Sequence, residues 1–132
     1  MLVLDTHILI WWVSADTSLS KQAAKKINDT LKTDGEILIS SISAWEIAML
    51  IEKGRLVLSM EVESWLDEVS QIDGVRFIPV DNEIGIKATK LPGEFHKDPA
   101  DRIIVATARQ LALPLITADD KIIDYQHVKT IV

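Results

Sequence analysis

The chain has no cysteine. Disulfide scaffolds, thiolate zinc sites, iron–sulfur clusters and cysteine nucleophiles are therefore excluded. It also lacks any apolar run near the ~20 residues that span a bilayer. Its first residues, Met1-Leu2-Val3-Leu4-Asp5, have no basic n-region and no signal cleavage site. A soluble cytoplasmic protein with no membrane partner is the expectation. There is no internal repeat, low-complexity stretch or linker, so residues 1–132 read as a single domain. A chain of this size buries about two-thirds of the surface its unfolded form exposes, enough for one core without staples. With 48% hydrophobic and 26% charged residues, it is neither disordered nor collagen-like.

Positive charge is scarce as well. Fourteen Lys and Arg against twenty Asp and Glu leave a net charge of −6. A protein that coats nucleic-acid phosphates would be basic. Acids that hold metal ions escape this argument, because the bound cation reverses the local sign. The question is then whether the acids are scattered or placed.

The apolar pattern alternates strands with helices. Met1–Leu4, Glu36–Ser40, Val75–Val80, Leu113–Thr117 and Val128–Val132 read as strands. Pro79 near the end of the third pushes that strand toward an edge. Thr6–Val13, Ser20–Lys32, Ala44–Lys53, the stretch around Val62 to Val69, Asp81–Leu91 and Pro99–Leu111 read as helices. Gly35 breaks the second, and Gly54 sits just past the third, where a helix end favours it. Pro92–Lys97 reads as a loop. Strand–helix alternation implies a three-layer α/β fold, a parallel sheet of four to five strands with right-handed crossovers.

Such sheets bind ligands at the carboxyl ends of their strands. Asp5 ends the first strand. Glu46 falls in the first turn of the helix after the second. Asp101 opens the helix before the fourth, and Asp119 follows the fourth. Four carboxylates at one edge repel unless cations bind. Oxygen-only ligation suits Mg²⁺ or Mn²⁺, which activate water and neutralise charge on a phosphodiester. Each acid also has a plainer reading. Ser43-x-x-Glu46 matches a capping box. Asp98-Pro99-Ala100-Asp101 matches a helix cap with proline at the first helical position. Asp5 and Asp119 could end strands and cap the next turn. The convergence of four acids on one edge is what favours a site; Asp98 reads mainly as a cap.

Four blocks carry a resemblance: Leu2-Val3-Leu4-Asp5-Thr6; Ser43-Ala44-Trp45-Glu46-Ile47-Ala48; His96-Lys97-Asp98-Pro99-Ala100-Asp101-Arg102-Ile103-Ile104-Val105-Ala106-Thr107-Ala108; and Leu115-Ile116-Thr117-Ala118-Asp119. In order and spacing they resemble PIN-domain ribonucleases, specifically the VapC-type toxins of bacterial toxin–antitoxin pairs. The resemblance implies a PIN-like five-stranded parallel sheet and metal-dependent RNA hydrolysis with Mg²⁺ or Mn²⁺. It also implies a homodimer held by a protein antitoxin. It places the family's acid quartet on Asp5, Glu46, Asp101 and Asp119, and the supporting hydroxyl on Thr117. Asp98 competes with Asp101 for the third acid; the spacing to Ile104–Ala108 favours Asp101.

Other residues weigh less. Arg102 and Lys97 are weak substrate-binding candidates, and an ion pair is the expectation for Arg102. His96 is a loop histidine to which no role is assigned. Lys87 and Lys90 read as solvated. Trp11, Trp12, Trp45 and Trp65 could stack on bases, yet on helices they read as core or dimer interface. Trp11, Trp12, Met49, Ile51 and Trp65 together suggest a homodimer. The alternative function is a PIN-like binding module that has lost catalysis and acts through a protein partner. A haloacid-dehalogenase-type phosphotransferase would need a second Asp where this chain has His7. A receiver domain would need an Asp where it has Ser40 and Ser41.

Overall fold

Short apolar segments make the sheet. In the computed structural model, which describes residues 1–132, β1 (Leu2–Leu4), β2 (Ile37–Ser40), β3 (Val75–Ile78), β4 (Leu115–Ile116) and β5 (Thr130–Ile131) form one parallel sheet in the order β3-β2-β1-β4-β5. Side chains alternate across it, as the pleat requires. Leu2, Leu4, Ile37, Ile39 and Ile116 enter one core; Val3, Leu38 and Leu115 enter the other. Both faces are covered, which is why Leu2–Leu4 and Ile37–Ile39 are unbroken apolar runs.

The first core is roofed by α1 (Thr6–Val13), α2 (Lys21–Lys32), α3 (Ile42–Glu52) and α4 (Val62–Ser70). The second is roofed by α5 (Asn82–Thr89), α6 (Pro99–Leu111) and α7 (Asp120–Ile123). The result is the expected three-layer PIN-like α/β fold with five strands. β3 is an edge strand, as Pro79 foretold. No helix is long and apolar enough to cross a membrane. Gly35 is required by close approach: a Cβ there would lie 2.7 Å from the Thr30 methyl and 2.9 Å from its carbonyl oxygen. Gly54 takes φ +69 beyond the end of α3, the left-handed conformation that favours glycine.

Three local expectations change. α3 starts at Ile42, so Glu46 lies beyond its first turn and Ser43 is helical rather than a cap. The Ser43 hydroxyl meets Thr6 Oγ1 at 2.8 Å, which ties α3 to α1 and removes the capping-box reading. Trp65 is 7% exposed and belongs to the core of its own chain, so it does not support a dimer surface. The short helix α7 was not anticipated, because four residues are too few to show helical periodicity.

Candidate active site

The strand order reverses at β1. Its neighbours β2 and β4 lead to opposite halves of the sheet, and such switch points open a crevice at the strands' carboxyl ends. A cleft of about 480 Å³ opens there. Asp5, Glu46, Asp98, Asp101 and Asp119 all line it. His7, His96 and Lys121 supply the basic groups, and Trp11 and Ala118 the apolar surface.

Asp5 is held by the sheet and by α1. Its backbone N–H donates to the Ile116 carbonyl at 3.0 Å, continuing the β1–β4 ladder by one residue. That register sets Thr117 beside it. The Thr117 hydroxyl donates to Asp5 Oδ2 at 2.7 Å and accepts the Asp119 backbone N–H at 3.1 Å. One buried hydroxyl thus links two acids from opposite ends of the chain. The other Asp5 oxygen accepts the Thr6 backbone N–H at 2.9 Å. Glu46 reaches in from α3, whose placement against α1 is fixed by the Ser43–Thr6 contact one turn earlier.

The plainer capping readings are partly true. Asp5, Asp98 and Asp119 cap α1, α6 and α7. For Asp98 and Asp119 the cap engages one oxygen each, in bonds to the backbone N–H of Asp101 at 3.0 Å and of Lys121 at 2.9 Å. Capping and convergence are therefore compatible. Ligand oxygens of Glu46, Asp98 and Asp101 all lie within 4.8 Å of one another. Asp98, expected mainly as a cap, is a member of the tightest acid group in the cleft.

Burial and crowding act in the same direction. Burial pushes the Asp5 carboxyl up, and the Asp119 charge adds to it while Thr117 and Thr6 oppose it. Burial also pushes Glu46 up; the Thr6 side chain and His7 oppose it, and the charges of Asp5 and Asp98 add to it. Asp101 is pushed up to about 8, first by burial and then by Asp5, Asp98, Asp119 and Glu46. Carboxylates arranged this way take up protons or a cation near neutral pH. A cation fits the observed atoms: Glu46 Oε1 is buried with no hydrogen-bond partner, and the surrounding acid donors are all oxygens. A hard divalent ion suits that set.

The remaining expectations divide. His96 does line the cleft. Its Nε2 lies 3.0 Å from Asp101 Oδ2, at ion-pair distance but without the alignment of a hydrogen bond. Arg102 does not line it and makes no ion pair. Its guanidinium donates to the carbonyls of Ala88 at 2.8 Å, Phe95 at 3.1 Å and His96 at 3.2 Å, pinning the loop that carries His96. Lys97 is exposed and outside the cleft lining. Lys87 pairs with Glu83 at 3.0 Å on its own helix. His7 and Lys121 were not singled out as cleft residues from sequence. Their signal was positional: each lies two residues past an acid at a strand's carboxyl end.

The comparisons agree with this geometry. The family model described as PIN domain matches residues 2–128. The chain is 32% identical over 129 residues to a protein named Ribonuclease VapC22 from Mycobacterium tuberculosis (strain ATCC 25618 / H37Rv), covering 98% of this chain and 95% of that one. Solved structures share the fold at lower identity. One is VapBC2 from Rickettsia felis bound to a promoter DNA fragment, with TM-score 0.72 and 17% identity over 98% of this chain and 96% of that one. Another is FitAcB from Neisseria gonorrhoeae, with TM-score 0.69 and 18% identity over 100% and 97%. A third is a toxin–antitoxin complex from Klebsiella pneumoniae, with TM-score 0.68 and 19% identity over 100% and 97%. With its parallel sheet, its acids gathered at the β1 switch point and a family match spanning nearly the whole chain, this protein belongs to the PIN-domain family.

Proposed function

We propose that this protein is an endoribonuclease that depends on Mg²⁺ or Mn²⁺ and serves as the toxin of a toxin–antitoxin pair. The observation that carries the reading is the acid cleft, in which Glu46 Oε1 is buried without a partner among carboxylates. The ribonuclease relative and the family match give the substrate class. The solved structure of the same fold described as a toxin–antitoxin complex supports a protein antitoxin as partner. A homodimer and a cytoplasmic location belong to the same reading.

The roles follow from the contacts. Asp5, Glu46, Asp101 and Asp119 would hold the cation, with Asp98 beside them. A divalent ion supplies Lewis-acid chemistry there: it acidifies water and offsets the charge that gathers on phosphoryl oxygens. Thr117 orients Asp5 and, through the Asp119 backbone, the start of α7. His96 stands against Asp101 at the cleft wall, its Nε2 3.0 Å from Asp101 Oδ2. Lys121 offers a cation to RNA phosphate at the rim. The test is cleavage of RNA by the purified protein with Mg²⁺, with Mn²⁺ and with chelator, beside Asp5→Asn. Loss of cleavage in chelator and in Asp5→Asn is expected. Cleavage that survives both would overturn the reading.

A further inference from the structure

Trp11 is out of keeping with its surroundings. The cleft lining is otherwise acidic, basic or small, and Trp11 is its one large apolar side chain. The residue is half-buried: it packs against the inner core and also faces the cleft. It lies one turn beyond His7 on α1, a spacing that sets two side chains on one helix face. The two rings are 6.0 Å apart, tilted at 54°.

An indole offers a hard divalent cation no ligand atom, since it has no acceptor oxygen and its N–H only donates. It does offer a π-face. RNA entering this cleft meets five carboxylates and few basic groups, namely His7, His96 and Lys121. Phosphate neutralisation is therefore a weak grip on the strand beyond the cation itself. Stacking is the contact left, and it tolerates an acidic neighbourhood because a base face carries no net charge. Packing on the core also fixes the indole's orientation beforehand, so little side-chain freedom is lost on binding.

We propose that Trp11, flanked by His7, is the platform on which a nucleobase next to the scissile phosphate stacks. The inference rests on the ribonuclease reading above and names how that site holds its substrate. It commits the substrate to a strand that is unpaired at the cut, since only a splayed base can reach an aromatic face.

The probe is a short single-stranded RNA spanning a cleavage site mapped with the wild-type protein, and the same RNA made abasic on each side of that site in turn. Trp11→Leu keeps apolar bulk without the ring; Trp11→Phe keeps a ring. On intact RNA, Trp11→Leu lowers kcat/KM by about 5- to 150-fold, the range for losing one base–aromatic stack, and Trp11→Phe recovers most of it. On one of the two abasic RNAs, wild type falls to the level of Trp11→Leu, which loses nothing further. Equal kcat/KM for wild type and Trp11→Leu overturns the proposal. So does the same fold-loss on intact RNA and on both abasic RNAs, which would mark a packing defect. If Trp11→Leu does not fold, the wild type alone decides: full activity on both abasic RNAs overturns the proposal. Absence of metal-dependent cleavage by wild type overturns the ribonuclease reading and this inference together; cleavage without the Trp11 effect overturns this inference alone.

Discussion

Thr117 donates its hydroxyl to Asp5 Oδ2 at 2.7 Å, joining residues 112 apart in sequence. Both side chains are buried, and the same hydroxyl accepts the Asp119 backbone N–H. The contact opposes, without reversing, the upward push that burial gives the Asp5 carboxyl.

Removing that donor therefore has two expected consequences. Thr117→Val keeps the shape but strips the hydroxyl, leaving Asp5 Oδ2 and the Asp119 N–H each short of a partner. Stability should fall by about 1–3 kcal/mol, the cost of stranding a buried polar group. The Asp5 carboxyl should move further up, and Mn²⁺ affinity at neutral pH should fall with it. Thr117→Ser should recover both. Thermal melts and calorimetric Mn²⁺ titration check this; a Val variant with wild-type melting and affinity would show the hydroxyl to be idle.

The acid cleft also predicts how stability follows pH. The folded-state carboxyl of Asp101 is pushed up to about 8, above its ordinary value of 3.8. The folded protein thus binds more protons than the unfolded chain between those limits, so stability from this group falls as pH rises from about 4 to about 8. Asp5 and Glu46, also pushed up, add to the same trend. In chelator the melting temperature should drop by several degrees over that window, other groups being matched by an Asp101→Asn control. Saturating Mn²⁺ should flatten the slope, since it binds the ionised carboxylates and releases their protons. A flat apo profile would contradict it.

The sheet and the convergence of four acids on one cleft were legible because both are written in short-range pattern. Leu2-Val3-Leu4 and Ile37-Leu38-Ile39 are buried on both faces, so they appear as plain apolar runs. Asp5, Glu46, Asp101 and Asp119 were locatable because strand ends fall at the same sheet edge. What escaped depends on contacts between residues far apart in sequence. Ser43 and Glu46 have capping-box spacing, and only the packing of α3 on α1 shows the hydroxyl to be committed to Thr6. Arg102 looks like a phosphate or carboxylate partner because it is charged, yet its donors go to carbonyls of a loop whose path no local pattern specifies. His96, on that loop, was noticed but given no role for the same reason.

Asp98 and Asp101 should separate by substitution. Asp98 does two things: one oxygen caps α6, and its carboxylate sits with Glu46 and Asp101. Asn preserves the cap and removes the charge. Asp98→Asn should keep its melting temperature in chelator and lower Mn²⁺ affinity by about tenfold, a typical loss for a supporting group. Asp98→Ala should lose a further ~1 kcal/mol of stability through the cap. Asp101→Asn should abolish cleavage. Were Asp98→Asn the inactive variant and Asp101→Asn the active one, the third acid of the quartet would be Asp98.

Arg102 tests whether the loop clamp matters to the site. Its guanidinium makes three charge-assisted bonds to carbonyls of Ala88, Phe95 and His96, and so fixes where His96 meets Asp101. Lysine cannot reproduce that fork, because its ammonium is a point donor on a flexible stem. Arg102→Lys should therefore behave much like Arg102→Met. Both should lose about 1–3 kcal/mol of stability, the range for bonds to a charged group. Both should also slow cleavage by displacing His96. The discriminating measurement is the salt dependence of RNA binding to an Asp5→Asn background. A phosphate contact would reduce the slope of log affinity against log salt by about 1 when removed. A clamp that never touches RNA leaves the slope unchanged while lowering the melting temperature, and that combination is the expected result for Arg102→Met. A shallower slope at an unchanged melting temperature would return Arg102 to the substrate-binding role.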